Sequence, residues 1–168
     1  MIRVLVSACL LGEKVRYNGA DAASGSRILQ EWVREGRVVP FCPEVAGGLG
    51  VPRPAAEIHG AGGASVLDGD GRVRTRGGED VTGAFRRGAE LALRTARESG
   101  ALLAVLKDGS PSCGSGYVYD GSFSGRREAE AGVTATLLRR SGIAVFSETR
   151  LQEAAEHLRG LEAAARVL

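Results

Sequence analysis

The sequence predicts an α/β fold: a single three-layer, Rossmann-like domain over residues 1–168 with a mostly parallel sheet. Short apolar runs typical of buried parallel strands alternate along the chain with amphipathic helical segments. The 168 residues, 43% of them hydrophobic and 25% charged, are enough for one substantial core. No internal repeat and no linker divides the chain, so a single domain is expected.

The first two strands and the helix between them account for the start of the chain. Residues 2–8 form an apolar run and are the first predicted strand. Apolar residues then recur at helical spacing as far as Glu35, and Ser24 or Ser26 is positioned to cap that helix. The second predicted strand is the apolar run of residues 38–41.

A segment of different character follows the second strand and its glycine- and proline-rich loop. In residues 64–75, β-prone stretches flank the Asp68–Gly71 segment, which contains two Asp-Gly pairs. This pattern is typical of a β-hairpin with an Asp-Gly turn. We therefore expect an inserted hairpin near residues 64–75.

Alternation of strand and helix resumes in the second half of the chain. Asp80 is positioned to cap a long helix that ends near Ser99, and residues 102–106 are the next strand. The loop of residues 108–131 is rich in glycine and serine, and loops of that length inside a domain are usually functional. The remaining elements are expected at residues 132–140 (helix), 143–146 (strand) and from about 150 onward (helix).

Composition excludes several classes of partner. The net charge of +2 and the aromatic content of 5% argue against a nucleic-acid-binding surface. No apolar run reaches the roughly 18 residues of a membrane span. An odd number of cysteines, three, fits reduced thiols in the cytoplasm better than a disulfide framework.

The three cysteines carry the strongest functional signal. Cys9, Cys42 and Cys113 each come at or soon after the end of a predicted strand. Ligands of open α/β sheets bind at the carboxyl ends of the strands, so the three thiols are expected to converge on one site. Three thiolates with no fourth ligand are what an iron–sulfur cluster with one reactive iron needs.

Two simpler interpretations of the cysteines stay open. Free cysteine is among the most buried residue types, so each thiol could be a small core residue. The second interpretation is a zinc site. Structural zinc sites usually take ligands from close pairs, whereas the sequence gaps between positions 9, 42 and 113 are 33 and 71 residues, so the spacing argues against zinc.

Polar residues beside the cysteines are candidates for catalysis. Glu44 follows Cys42 by two positions; it is either a general acid or base near a metal or a surface partner of Arg53. Ser110 and Ser112 flank the thiol of the Ser-Pro-Ser-Cys-Gly loop. Ser110 is a candidate for substrate binding or proton relay, and Ser112 for either a local turn or substrate binding.

Arg16 and Asn18 lie in a turn-rich loop at the same expected edge of the sheet, and both are candidates for substrate binding. Surface and turn-forming roles are the simpler alternative for this pair. The standard phosphate-binding glycine motifs are absent, which argues against ordinary dinucleotide binding.

The motifs together resemble one bacterial family, long called a domain of unknown function (number 523), which includes the 2-thiouracil desulfidases. The resemblance extends over nearly the whole chain, in order, and is carried by Val6–Gly12, Arg16–Gly19, Cys42–Glu44, Gly47–Leu49, Val51–Pro54, Asp80–Thr82, Ser110–Gly114, Tyr119–Phe123 and Gly132–Ala135.

The resemblance implies a [4Fe-4S] cluster held by Cys9, Cys42 and Cys113, with one iron free of protein ligands. It further implies non-redox removal of sulfur from a thiolated pyrimidine or nucleoside, giving the oxo base and hydrogen sulfide. Glu44 corresponds to the catalytic carboxylate and Ser110 to the serine that assists it. A soft thiocarbonyl sulfur suits the open iron acting as a Lewis acid.

Two other functions use the same residues differently. An iron–sulfur sensor or sulfur carrier would need the three cysteines but not Glu44 and Ser110 beside them. A cluster-free α/β binding module would have structural cysteines only. The positions of Glu44 and Ser110 relative to Cys42 and Cys113 distinguish the enzyme from the sensor.

Overall fold

A four-stranded parallel sheet forms the centre of the computed structural model, which describes residues 1–168. The strands are β1 (Arg3–Ser7), β2 (Val38–Phe41), β3 (Ala56–His59), β4 (Arg72–Thr75), β5 (Ala101–Leu106), β6 (Val118–Tyr119), β7 (Arg127–Glu128) and β8 (Ala144–Ser147). The helices are α1 (Arg27–Arg34), α2 (Pro43–Ala46), α3 (Gly62–Leu67), α4 (Thr82–Ser99), α5 (Val133–Arg140) and α6 (Leu151–Val167), with a 3-10 turn at Ala8–Leu11.

The predicted α/β arrangement with a parallel sheet is confirmed. The order of the sheet is β2-β1-β5-β8, and every neighbouring pair is parallel. Because side chains alternate along a strand, Val4 and Val6 of β1 pack with α1 and α6 on one face, and Leu5 packs with α4 and α5 on the other. The sheet is thereby covered on both faces. No helix has the length and apolarity that spanning a membrane would require.

Helix starts differ in detail from the sequence prediction. The backbone N–H of Thr82 donates to Asp80 Oδ1 at 2.9 Å, so Asp80 lies just ahead of α4 and satisfies one of its first donors. The predicted serine cap of α1 is wrong: Ser26 occupies the position before the helix but its hydroxyl makes no capping hydrogen bond. The N–H of Ser26 donates instead to Ser24 Oγ at 3.3 Å.

The inserted hairpin exists, but its first strand is not where the sequence predicts it. β4 pairs antiparallel with β3, from Ala56↔Thr75 to His59↔Arg72, and Ser65–Leu67 belong to helix α3. Because side chains alternate along β3, Ile58 is buried against Val73. The helix α3 lies between β3 and β4 in the chain, and its Val66 packs in the same core. Tertiary packing thus overrides the local β preference of residues 65–67.

Glycines bring the short helix α2 into direct backbone contact with α4. A Cβ on Gly88 of α4 would collide with the carbonyl of Pro43, and one on Gly47 would collide with the carbonyl of Ala84. α2 directly follows Cys42 and contains Glu44. The close approach of these two helices therefore fixes the position of both residues.

We expect Gly88→Ala to lower the free energy of unfolding by about 1–3 kcal/mol, because the added methyl group forces α2 away from α4. Gly160→Ala is the matched control, since Gly160 lies in α6 with open space around it and alanine there should stabilise by about 0.5–1 kcal/mol. Urea denaturation of both variants measures the difference. Equal stability of the two would contradict the close α2–α4 contact.

Candidate functional site

The three cysteines meet at one edge of the sheet. Cys9 lies in the 3-10 turn after β1, Cys42 directly follows β2, and Cys113 lies in the loop after β5. These three strands are neighbours and parallel, so their carboxyl ends lie side by side. All three cysteines line the same cavity of about 400 Å³. The structure thus brings together the thiols that are 33 and 71 residues apart in sequence.

All three thiols are free and poorly ionised on their own. Burial raises the pKa of Cys9 to about 11, with a further increase from neighbouring Cys42 and opposition from the charges of Arg16 and Lys107. Burial also raises the pKa of Cys42 and, most strongly, that of Cys113. Buried thiols of this kind are poor nucleophiles by themselves, which argues against cysteine catalysis. A bound cationic metal would favour their deprotonated form.

The donor set suits a cluster better than a single ion. No three histidine, cysteine, aspartate or glutamate side chains are grouped closely enough to hold one metal ion. A structural zinc site needs four ligands converging on one point, and the arrangement lacks this. In a [4Fe-4S] cluster each thiolate binds a different iron, so the ligands are spread around the cluster. Three separated soft thiols around one cavity fit that requirement.

Glu44 lies beside the cysteines as one member of a polar triad. The guanidinium of Arg53 pairs with it, with Nε 3.4 Å from Oε1, and the Ser110 hydroxyl donates to Oε2, also at 3.4 Å. Burial raises the pKa of Glu44, whereas Arg53, Ser110 and Arg16 oppose that increase in this order of effect. The site therefore contains a shielded carboxylate next to a metal-binding set of thiols.

Hydrogen bonding fixes the direction in which the Ser110 proton points. Ser110 Oγ accepts the backbone N–H of Ser112 at 3.0 Å and that of Cys113 at 3.1 Å. These two donors occupy the acceptor positions of the hydroxyl, so its own proton is left for Glu44 Oε2. The loop that carries Cys113 thus also orients the serine toward the carboxylate.

Arg53 ties three segments of the site together. Its side chain is only 6% exposed, and besides Glu44 its Nη1 donates to the carbonyl of Gly50 at 3.0 Å and its Nη2 to that of Val15 at 2.9 Å. From its sequence position, Arg53 is expected either to pair with Glu44 or, like Arg16 and Asn18, to bind a ligand at this edge of the sheet. Its links to two loops show it holding the carboxylate and the loop of Arg16 in place.

Two predicted substrate-binding residues do not reach the cavity, whereas Arg16 lines it. Asn18 Oδ1 accepts the N–H of Ala20 at 3.0 Å in a turn. Ser112 is fully buried, and its hydroxyl hydrogen-bonds that of Thr134 at 2.7 Å. Both residues therefore have local structural roles here, and we leave them out of the proposed substrate contacts.

The outer wall of the cavity comes from the hairpin and from residues 117–123, which include β6. Its members, which the sequence did not single out as site residues, are Glu57, Arg76, Tyr117, Tyr119 and Phe123. Arg76 and Glu57 were hidden because the sequence placed the first hairpin strand elsewhere. The aromatic residues of the 117–123 segment were a visible signal, since aromatic side chains are scarce in this chain.

Comparison with known proteins gives a consistent result. A family model described as 2-thiouracil desulfurase matches residues 4–150 of the chain. The solved structure of a [4Fe-4S]-dependent thiouracil desulfidase, TudS (DUF523Vcz), is similar with a TM-score of 0.87 and 49% sequence identity, covering 95% of this chain and 99% of that one. The Bacillus subtilis (strain 168) protein YbbK, described as uncharacterized, is 45% identical over 150 residues, which are 89% of this chain and 98% of that protein.

Proposed function

The chain belongs to the 2-thiouracil desulfurase family, and we propose that it removes sulfur from a small thiolated pyrimidine by hydrolysis. One observation carries the proposal: the Glu44–Ser110 pair lies in the same cavity as the three cysteines. The similarity to a [4Fe-4S]-dependent thiouracil desulfidase over 95% of the chain supports it. In this proposal residues 1–168 act as a single domain.

Cys9, Cys42 and Cys113 are the proposed ligands of a [4Fe-4S] cluster, with one iron left free of protein ligands. When bound, the cluster would supply a Lewis-acidic iron with an open position suited to a soft sulfur atom. The three free thiols also fit a reducing compartment, and we propose that the protein acts in the cytoplasm.

Glu44 is the proposed general base. Its Oε2 takes a proton from the water that attacks the thiocarbonyl carbon, and the buried surroundings keep bulk water from competing for that carboxylate. Arg53 holds Oε1, so the carboxylate presents a fixed oxygen to the cavity. Ser110, whose proton points at Oε2, is the proposed assisting residue and keeps that oxygen oriented for the reaction. Arg16 lines the cavity and is the proposed contact for a polar substituent of the ring.

The reaction balances without an oxidant or reductant. A new C–O bond forms between the water oxygen and the carbon that carried sulfur, and the C–S bond breaks. Both water protons end on the released sulfur as hydrogen sulfide, so 2-thiouracil and water give uracil and hydrogen sulfide.

The contact between Glu44 and Ser110 favours an enzyme over an iron–sulfur sensor or sulfur carrier. A sensor needs the cysteines alone and gains nothing from a buried carboxylate, which is costly to keep. Here Glu44 lines the same cavity as Cys42 and Cys113, and its charge adds to the increase in pKa that burial causes for both thiols. That position is the one a catalytic group requires.

Anaerobic cluster reconstitution followed by incubation with 2-thiouracil tests the function. We expect about four irons per chain, as in a complete cubane cluster, and release of uracil and hydrogen sulfide. A reconstituted cluster without uracil release from 2-thiouracil or other thiolated pyrimidines would contradict the proposed reaction and favour the sensor.

We expect Ser110→Ala to lower kcat about ten- to a hundredfold, because the carboxylate of Glu44 loses the charge-assisted hydrogen bond that the Ser110 hydroxyl donates. Ser115→Ala in the same loop is the matched control, since the Ser115 side chain lies outside the cavity and its turnover should be unchanged. Steady-state kinetics at equal iron content per chain makes the comparison. Equal kcat in the two variants would remove Ser110 from the mechanism.

A further inference from the structure

Glu57 occupies an unusual position on the outer wall of the cavity. It is half-buried in β3 of the inserted hairpin and lines the same cavity as the three cysteines. Its Oε1 accepts two backbone N–H groups of the 120–125 loop, from Gly121 at 3.0 Å and from Phe123 at 3.1 Å. These two bonds fix the carboxylate, while Oε2 makes no hydrogen bond or ion pair.

The loop that Glu57 holds presents an aromatic ring to the same cavity. Phe123 has a backbone φ of +54°, a left-handed conformation that bulky residues rarely adopt. Its N–H bond to Glu57 supports that conformation, and the Arg76 guanidinium lies 5.2 Å from the centre of its ring. Arg76 is therefore engaged with the ring and does not pair with Glu57, whose second oxygen stays available.

We propose that Glu57 and Phe123 form the ring-recognition wall of the site: Glu57 Oε2 accepts a ring N–H of the thiolated pyrimidine, and Phe123 packs on the face of the ring. This inference rests on the proposed function and assigns specificity to the inserted hairpin. A 2-thiouracil ring carries two N–H donors and a flat face, which match one free carboxylate oxygen and one aromatic side chain.

Glu57→Gln separates recognition from loop support. The amide oxygen can still accept the N–H groups of Gly121 and Phe123, whereas the amide NH₂ replaces Oε2, so an acceptor in the cavity becomes a donor. We expect KM for 2-thiouracil to rise about ten- to a hundredfold with kcat within a few-fold of wild type. Glu79→Gln, an exposed carboxylate after β4 with no side-chain hydrogen bond, is the matched control and should behave as wild type.

The test uses two further probes. 1-Methyl- and 3-methyl-2-thiouracil each lack one ring donor. We expect wild type to discriminate at least about tenfold against one of them and Glu57→Gln to lose that discrimination. Uracil binding to the cluster-free protein, measured by calorimetry, should weaken in parallel in Glu57→Gln.

The outcomes are distinguishable. Unchanged KM and unchanged uracil affinity in Glu57→Gln, with wild type active on 2-thiouracil, would overturn the role of Glu57 alone. Equal penalties for the methylated ring in both proteins would indicate steric exclusion and likewise overturn it. A wild-type protein that binds its cluster but does not release uracil would overturn the proposed function together with this inference.

Discussion

Replacing Glu44 with glutamine is expected to lower kcat about a hundred- to ten-thousandfold while the iron content per chain stays at the wild-type value. The amide has nearly the same shape, but its single oxygen can accept from only one of Arg53 and Ser110, and its NH₂ faces the other donor, so one hydrogen bond of the triad is lost. It cannot take a proton from the attacking water. The loss therefore falls on the chemical step and leaves the thiol ligands in place.

Glu31→Gln provides the matched control for this prediction. Glu31 is an exposed carboxylate of α1 with no side-chain hydrogen bond, so its replacement should change neither kcat nor iron content. Loss of the Glu44 charge also leaves the nearly buried guanidinium of Arg53 without its ion-pair partner, so urea denaturation is measured in parallel. A Glu44→Gln enzyme with kcat close to wild type and full iron would exclude this carboxylate as the base.

The convergence of the cysteines could be predicted from the sequence because it depends on a local signal and one topological rule. Apolar runs identify β1, β2 and β5, and parallel strands place their carboxyl ends at one edge. Cys42 directly follows β2 and Cys9 comes two residues after the end of β1, so their placement required only the strand ends to be right.

The outer wall could not be predicted by the same means. Glu57 lies in β3, and only its partner strand, β4, was correctly expected. The register between the two strands depends on burying Ile58 against Val73. Local β preference instead pointed to Ser65–Leu67, which fold as a helix because Val66 is needed in the core. Such a choice is made by contacts between distant segments and leaves little trace in local sequence.

The serine loop illustrates a further limit. Ser110 and Ser112 are two positions apart in the sequence and carry the same hydroxyl group, so only their packing in the folded protein gives them different roles. Thr134 of α5 buries the hydroxyl of Ser112, while Ser110 faces Glu44. The N-terminal N–H groups of α5 also donate to this loop, from Val133 to the carbonyl of Pro111 at 2.9 Å. A helix 20 residues further along thus decides which serine is available.

Cys113→Ala is expected to lower the iron bound after anaerobic reconstitution by more than about tenfold and to abolish desulfuration, whereas Cys113→Ser should retain little more because a hydroxyl is a hard, weak ligand for iron. Cys113 is buried in the loop after β5, where it lines the cavity, and the chain has no fourth cysteine to replace it. Iron and sulfide quantification with the visible absorption of the cluster measures the loss.

This prediction also separates a cluster ligand from a cysteine that only fills the core. If Cys113 were a core residue alone, its removal would cost some free energy of unfolding in the cluster-free chain and leave iron binding as it was. Ser115→Ala in the same loop should keep full iron, which controls for changes in loop stability. Wild-type iron content in Cys113→Ala would show that Cys113 is a core residue and not a cluster ligand, and the proposed chemistry would then lack its three-thiol site.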